Sequence, residues 1–280
     1  MTSSPEREPL PATFIGHGSP NNALELNPYT AAWRAFGHAV PRPRAILVVS
    51  AHWYIEATAV TAMARPPTIH DFYGFPRALF EVQYPAPGLP ELAEEVADAV
   101  KPTWVGADHD SWGIDHGSWI ILVHAFPDAS VPVVQLSVNG RKDLDYHLEL
   151  GRRLAPLRRQ GVLLIFSGNI VHNLRAADFR NTGTIYKWAQ DFDDAATSLL
   201  VSDPASMPRL TAQRHYHDAV PTPDHFLPFV QFAGLASVSS DRASTLVSGV
   251  MGGSVSMTSY TLGMSEVHPD APGPLTEEER

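Results

Sequence analysis

Cysteine is absent from the 280-residue chain. That single absence removes disulfide frameworks, thiolate nucleophiles, cysteine-ligated zinc and iron–sulfur clusters at once. Any metal must be held by imidazole, carboxylate or backbone oxygen. Positive charge is also short: 20 Lys and Arg stand against 30 Asp and Glu, a formal net charge of −10. That balance argues against a phosphate-backbone partner such as nucleic acid. No apolar run approaches the roughly 20 residues that span a bilayer, so no membrane partner is expected. The start, MTSSPEREPL, lacks a basic stretch followed by an apolar one; the expectation is a cytoplasmic protein without a secretory signal. What is abundant is histidine, at thirteen residues.

Residues 1–10 and the acidic stretch 265–280 are polar and proline-bearing, and read as flexible tails. No linker or repeat divides residues 11–264, which read as one domain. Ala12–Gly16, Ala45–Ala51, Val131–Val138 and Val162–Gly168 are short apolar runs expected to form buried strands. Helical periodicity lies between them, over Pro28–Phe36, Leu89–Lys101, Ser118–Phe126 and Asp143–Leu157, and again around Ala189–Leu199. Thr222-Pro223 supplies an N-cap and a first-turn proline for a further helix. Thr245–Val250 and Ser254–Leu262 are expected as antiparallel edge strands. The alternation implies an α/β fold, a mixed, mostly parallel central sheet with helices on both faces.

In such sheets ligands collect beyond the carboxyl ends of the strands. Three of the expected strands run into histidine there: His17 in GHGSP, His52 in SAHW, and His172 four residues after Gly168. His225 falls in the first turn of the helix expected from Pro223, where the helix dipole favours neutral imidazole. His116 opens another expected helix, and Asp115 beside it either orients the ring or caps the helix. His17, His52 and His225 converging on one divalent ion would suit zinc or ferrous iron and be poor for calcium or magnesium. The plainer alternative is a set of hydrogen-bonded loop residues. No HExxH pair decides between them. His70-Asp71 is a candidate oriented pair at the rim, and His217 is close enough in sequence to His225 to line a pocket. Trp53, Tyr73, Phe75 and Trp119 suit either a ring-binding pocket or the core. Asp193-Asp194, Arg152-Arg153 and Arg158-Arg159 read as solvated surface charge. There is no GxSxG elbow and no phosphate-binding GxxxxGK[ST] loop.

Seven motifs occur in one order: GHGSP at His17, SAHW at His52, PPTIHDF at His70, YPAPG at Tyr84–Gly88, WGIDHGSW at Trp112–Trp119, SGNIVHNLR at Ser167–Arg175 and PTPDHFLP at Pro221–Pro228. Together they resemble the LigB-type class III extradiol dioxygenases, in the branch of the 4,5-DOPA extradiol dioxygenase-like proteins, from about Pro11 to Leu262. The resemblance implies a LigB-like α/β fold and a mononuclear non-haem Fe(II) site. His17, His52 and His225 match the metal ligands, His172 the acid/base residue and His116 a second histidine beside the substrate. It also implies a catechol substrate and O₂, with the ring opened outside the two hydroxyls. His225 stands where distant relatives carry a glutamate, which leaves the site more positive and favours Zn(II) in purified protein, with His172 available as a fourth ligand. Two alternatives stand beside this reading: a zinc-dependent hydrolase on the same histidines, and a non-catalytic binding protein on the dioxygenase fold. The sequence specifies no oligomeric state.

Overall fold

The computed structural model describes residues 8–180 and 184–264. The expected C-terminal tail, and most of the N-terminal one, lie outside them. Four strands carry the sheet: β1 (Ala12–Gly16), β2 (Ala45–Ile55), β5 (Val133–Asn139) and β6 (Val162–Gly168). They lie mutually parallel in the order β5-β2-β6-β1. β3 (Ala59–Thr61) joins antiparallel to β5 and carries β4 (Gly106–Asp108) beyond it. On the other side β10 (Ser259–Leu262) runs antiparallel to β1 and pairs with β7 (Ala243–Val247) at the far edge.

Because side chains alternate along a strand, the central strands build a core on each face. Phe14, Leu47, Val49, Leu164 and Phe166 face one layer. It comprises α3 (Pro90–Ala99), α5 (Leu144–Arg159), α6 (Lys187–Ser202) and α8 (Leu227–Ser237). Ile15, Ile46, Val48, Leu163 and Ile165 face the other, with α1 (Pro28–Ala39) and α4 (His116–Ala125). The helical segments α2 (Arg77–Glu81) and α7 (Tyr216–Ala219) are short connectors. This is the expected α/β architecture, with helices on both faces.

Four local expectations change. The helix expected at Pro223 begins at Leu227 instead. Pro223 starts a single turn, its carbonyl accepting the N–H groups of Phe226 and Leu227. Pro228 has no N–H to continue that ladder, and the His225 carbonyl instead accepts Asn169 N–H at 2.9 Å. The two C-terminal strand segments are each divided. Gly252 and Gly253, at φ 55° and 81°, close a separate hairpin of β8 (Val250–Met251) and β9 (Val255–Ser256). Arg158 is not surface charge: it is 3% exposed, donating to Asp241 at 2.8 Å and to the Leu10 carbonyl. Nor is Asp193 solvated; it is buried and accepts hydrogen bonds from the Ser256 and Thr258 hydroxyls.

Candidate metal centre

The carboxyl ends of β1, β2 and β6 coincide, with Gly16 opposite Gly168 and Ser50 opposite Ser167. Chain continuity then delivers His17 from β1. His52 comes from within β2, where the pairing with β5 steps from Val49–Leu136 to Tyr54–Val138. The extra residues of that bulge re-aim the strand's side chains at the site. His116 is the first residue of α4, and Asp115 caps that helix by accepting Ser118 N–H. Asp115 therefore takes the capping role of the two weighed from the sequence. His172 is held by its backbone N–H to the Ala219 carbonyl at 2.9 Å and by a bridge to Val255 in the hairpin.

The five histidines ring one space. The rings of His17 and His52 lie 5.0 Å apart, centroid to centroid, and that of His225 is 5.3 and 5.0 Å from them. His116 is 3.8 Å from His52, and His172 stacks on His225 at 3.5 Å. Ligand-capable atoms of His17, His52 and His116 fall within 4.8 Å of one another, as do those of His172, Asp224 and His225. The structure thus gathers every site residue named from the sequence, in two adjoining groups rather than as one triad.

Proton positions follow from the partners. Ser167 Oγ donates its hydrogen to the Gly117 carbonyl at 2.5 Å, so it accepts from His17 Nδ1–H at 2.9 Å. His52 Nδ1 faces Asp71 Oδ2 at 3.2 Å, and His225 Nδ1 donates to Asp224. Burial pushes both carboxyls up, but the neighbouring histidines outweigh it and hold Asp71 and Asp224 well below the usual carboxylate range. They are ionised acceptors, and the proton stays on each Nδ1. Burial lowers His17 well below its ordinary value and brings His225 to about 4, so both rings are neutral with a lone pair on Nε2.

His116 and His172 are held differently. His116 Nδ1 is 2.9 Å from Asp71 Oδ1 without being aimed at it as a hydrogen bond. The ring nitrogens of His172 have no hydrogen-bond partner among the described residues. Burial, then the neighbouring His225, lowers His172 to about 2.

The donor set fits a divalent ion. Nε2 of His17 and Nε2 of His52 are 3.1 Å apart. Two nitrogens bound to one ion at about 2.0–2.1 Å stand about 2.9–3.4 Å apart. A carboxylate behind a ligating ring is the usual means of fixing its tautomer.

The other sequence candidates divide. Asp71 faces the site, whereas His70 turns away and bonds the Val82 carbonyl. His217 is exposed and lines no part of the cavity. Phe75 lines it, Trp53 stacks on Trp112, Trp119 is core, and Tyr73 is 91% exposed. Sequence reasoning missed Asp224, Ser167 and the bridging role of Asp71. The signal for Asp224 was its place beside His225 in PTPDH; Ser167 had none beyond its strand-end position.

The model of the catalytic LigB subunit of aromatic ring-opening dioxygenase matches residues 19–258, and the chain belongs to that family of extradiol ring-opening enzymes. Among its relatives, 4,5-DOPA dioxygenase extradiol of Escherichia coli K12 is 44% identical over 258 residues, 91% of this chain and 95% of that protein. The protein of the same name from Beta vulgaris is 34% identical over 256 residues, 88% and 94% of the two chains. The crystal structure of an uncharacterized protein from Escherichia coli K12 matches with a TM-score of 0.80 at 39% identity, covering 91% of this chain and 100% of that one.

Proposed function

We propose that the protein is an Fe(II)-dependent extradiol dioxygenase that opens the ring of a catechol such as 4,5-DOPA with O₂, in the cytoplasm. One observation carries the division of labour. His17 and His225 each have Nδ1 fixed on an acceptor of their own and His52 Nε2 stands 3.1 Å from His17 Nε2, while His172 has no ring partner and His116 lies beside the Asp71 carboxylate that His52 also faces. His17, His52 and His225 are the ligands, and His116 and His172 handle substrate and protons.

Iron held there supplies a Lewis acid for the catechol oxygens and an electron donor toward O₂, the chemistry that ring opening requires. The chain does the rest. His172 stands neutral on the cavity wall, and a catechol's developing negative charge raises its proton affinity, so it accepts a hydroxyl proton and returns it later. His116, beside His52 on the cavity wall, hydrogen-bonds the substrate. Phe72, Phe75, Val250 and Val255 form an apolar wall that holds the ring and keeps water away.

Elemental analysis tests the assignment. His17→Ala and His225→Ala are expected to lose metal, whereas His172→Ala and His116→Ala keep it and lose turnover. Equal metal loss in all four overturns the division. Oxygen uptake by the Fe(II)-reconstituted protein with a catechol panel separates this reading from a zinc hydrolase, which would act without oxygen, and from a binding protein, which would not turn over.

A further inference from the structure

We propose that the cavity takes catechols whose ring substituent ends in an oxygen acceptor, a carboxylate as in DOPA or a hydroxyl, and that the Tyr29 hydroxyl donates to it; this rests on the dioxygenase reading above. The cavity encloses about 800 Å³, toward the upper end of the roughly 300–1,000 Å³ of small-molecule sites. A bare catechol occupies little of that, so the space is built for a ring with a substituent.

The walls separate the two ends of such a molecule. The five histidines mark the end that receives the catechol oxygens, and Phe72, 5.4 Å from His116, adjoins it. Tyr29 also lines the cavity, yet among the described residues no ring contact joins it to any of the five histidines. It therefore faces the substituent rather than the hydroxyl pair. Among the described residues no Lys or Arg lines the cavity. An acceptor that sheds water there depends on a neutral donor, because leaving it unpaired is unfavourable. Glu25 lines the cavity as well but is exposed, so solvent screens its charge against the substituent.

Tyr29 is positioned before any ligand arrives. It is the second residue of α1, and Asn27 caps that helix, its Oδ1 accepting the N–H groups of Tyr29 and Thr30 at 3.0 Å each. The Tyr29 hydroxyl lies against Gly249 at the entry to β8, where a Cβ would collide with it. Glycine there, at φ 155°, keeps the space open. The residue is half-buried, and burial raises the phenol above its ordinary value of 10, so it keeps its proton. Among the described residues that hydroxyl has no hydrogen-bond partner. A donor fixed by a rigid helix, with its proton unspent and on the cavity wall, is what an incoming acceptor requires.

Three catechols of similar length provide the test: 4-ethylcatechol (no acceptor), hydroxytyrosol (hydroxyl) and dihydrocaffeate (carboxylate). Calorimetry on Fe(II)-loaded protein under argon reads their affinities without turnover. Tyr29→Phe removes the hydroxyl and keeps the ring, with circular dichroism and iron content as controls on the variant. It is expected to weaken dihydrocaffeate about tenfold and hydroxytyrosol about threefold, because a hydrogen bond to a charged acceptor is the stronger. The affinity for 4-ethylcatechol should stay within about twofold of wild type. Equal weakening of all three ligands, or dihydrocaffeate bound by Tyr29→Phe within about twofold of wild type, overturns the proposal. Oxygen uptake by the wild type with 4-ethylcatechol is measured in parallel. Its absence counts against the dioxygenase reading, while the pattern of affinities still decides the role of Tyr29.

Discussion

Replacing Asp71 with Asn keeps the shape of the side chain and removes its ability to serve two histidines. Asp71 Oδ1 accepts the backbone N–H of His116 at 2.9 Å and lies 2.9 Å from His116 Nδ1, while Oδ2 faces His52 Nδ1 at 3.2 Å. Asparagine offers one acceptor oxygen and an NH₂ group. If the oxygen keeps the His116 backbone, the NH₂ meets the His52 Nδ1–H, donor against donor. His52 must then turn away or carry its proton on Nε2, the nitrogen that stands 3.1 Å from His17 Nε2. Either outcome removes a ligand's lone pair from the centre. Loss of such a partner typically lowers metal affinity about 10–100-fold, or about 1.4–2.7 kcal/mol. Competition against a chromophoric chelator measures it, with circular dichroism of the metal-free protein as the folding control. A folded Asp71→Asn protein whose metal affinity stays within about twofold of wild type would refute the tautomer argument.

Other perturbations follow from the same contacts. A Cβ on Gly117 would stand 2.7 Å from His52 Cδ2 and 2.8 Å from Ser50 Oγ; Gly117→Ala is expected to displace His52 and cost at least about tenfold in metal affinity by the same titration. Burial raises the Asp193 carboxyl from 3.8 to about 6, so the folded chain holds that proton more tightly than the unfolded one. Its contribution to stability is therefore present in acid and lost as the pH rises from about 4 to 6, by at most about 3 kcal/mol. Urea unfolding of Asp193→Asn should show that slope flattened; an unchanged slope would assign it elsewhere. Arg158→Met strands Asp241 and the Leu10 carbonyl, and is expected to lower unfolding stability by about 1–3 kcal/mol.

The parallel core was legible because strands buried on both faces read as unbroken apolar runs, and Val162–Gly168 falls on β6 to the residue. The site histidines were legible because topology places strand ends together. What escaped was pairing across long separations. Arg158 and Asp241 lie 83 residues apart, Asp193 and Ser256 63 apart, and a charge gives no local sign of a distant partner. The start of α8 escaped for a different reason: Pro223 and Pro228 both suit a first helical turn, and only the carbonyl of His225 turning to Asn169 shows which one opens the helix.

The bulge in β2 has a consequence for how this protein can vary. Five steps on β2, from Val49 to Tyr54, are spent against two on β5, from Leu136 to Val138. Since strand side chains alternate between faces, losing one residue from Ser50–Trp53 would re-phase the strand end and turn His52 or its neighbours to the opposite side. Substitution can drift there, side chain by side chain, while length cannot. Insertions and deletions in descendants of this chain should gather in the outer loops and leave that four-residue count untouched.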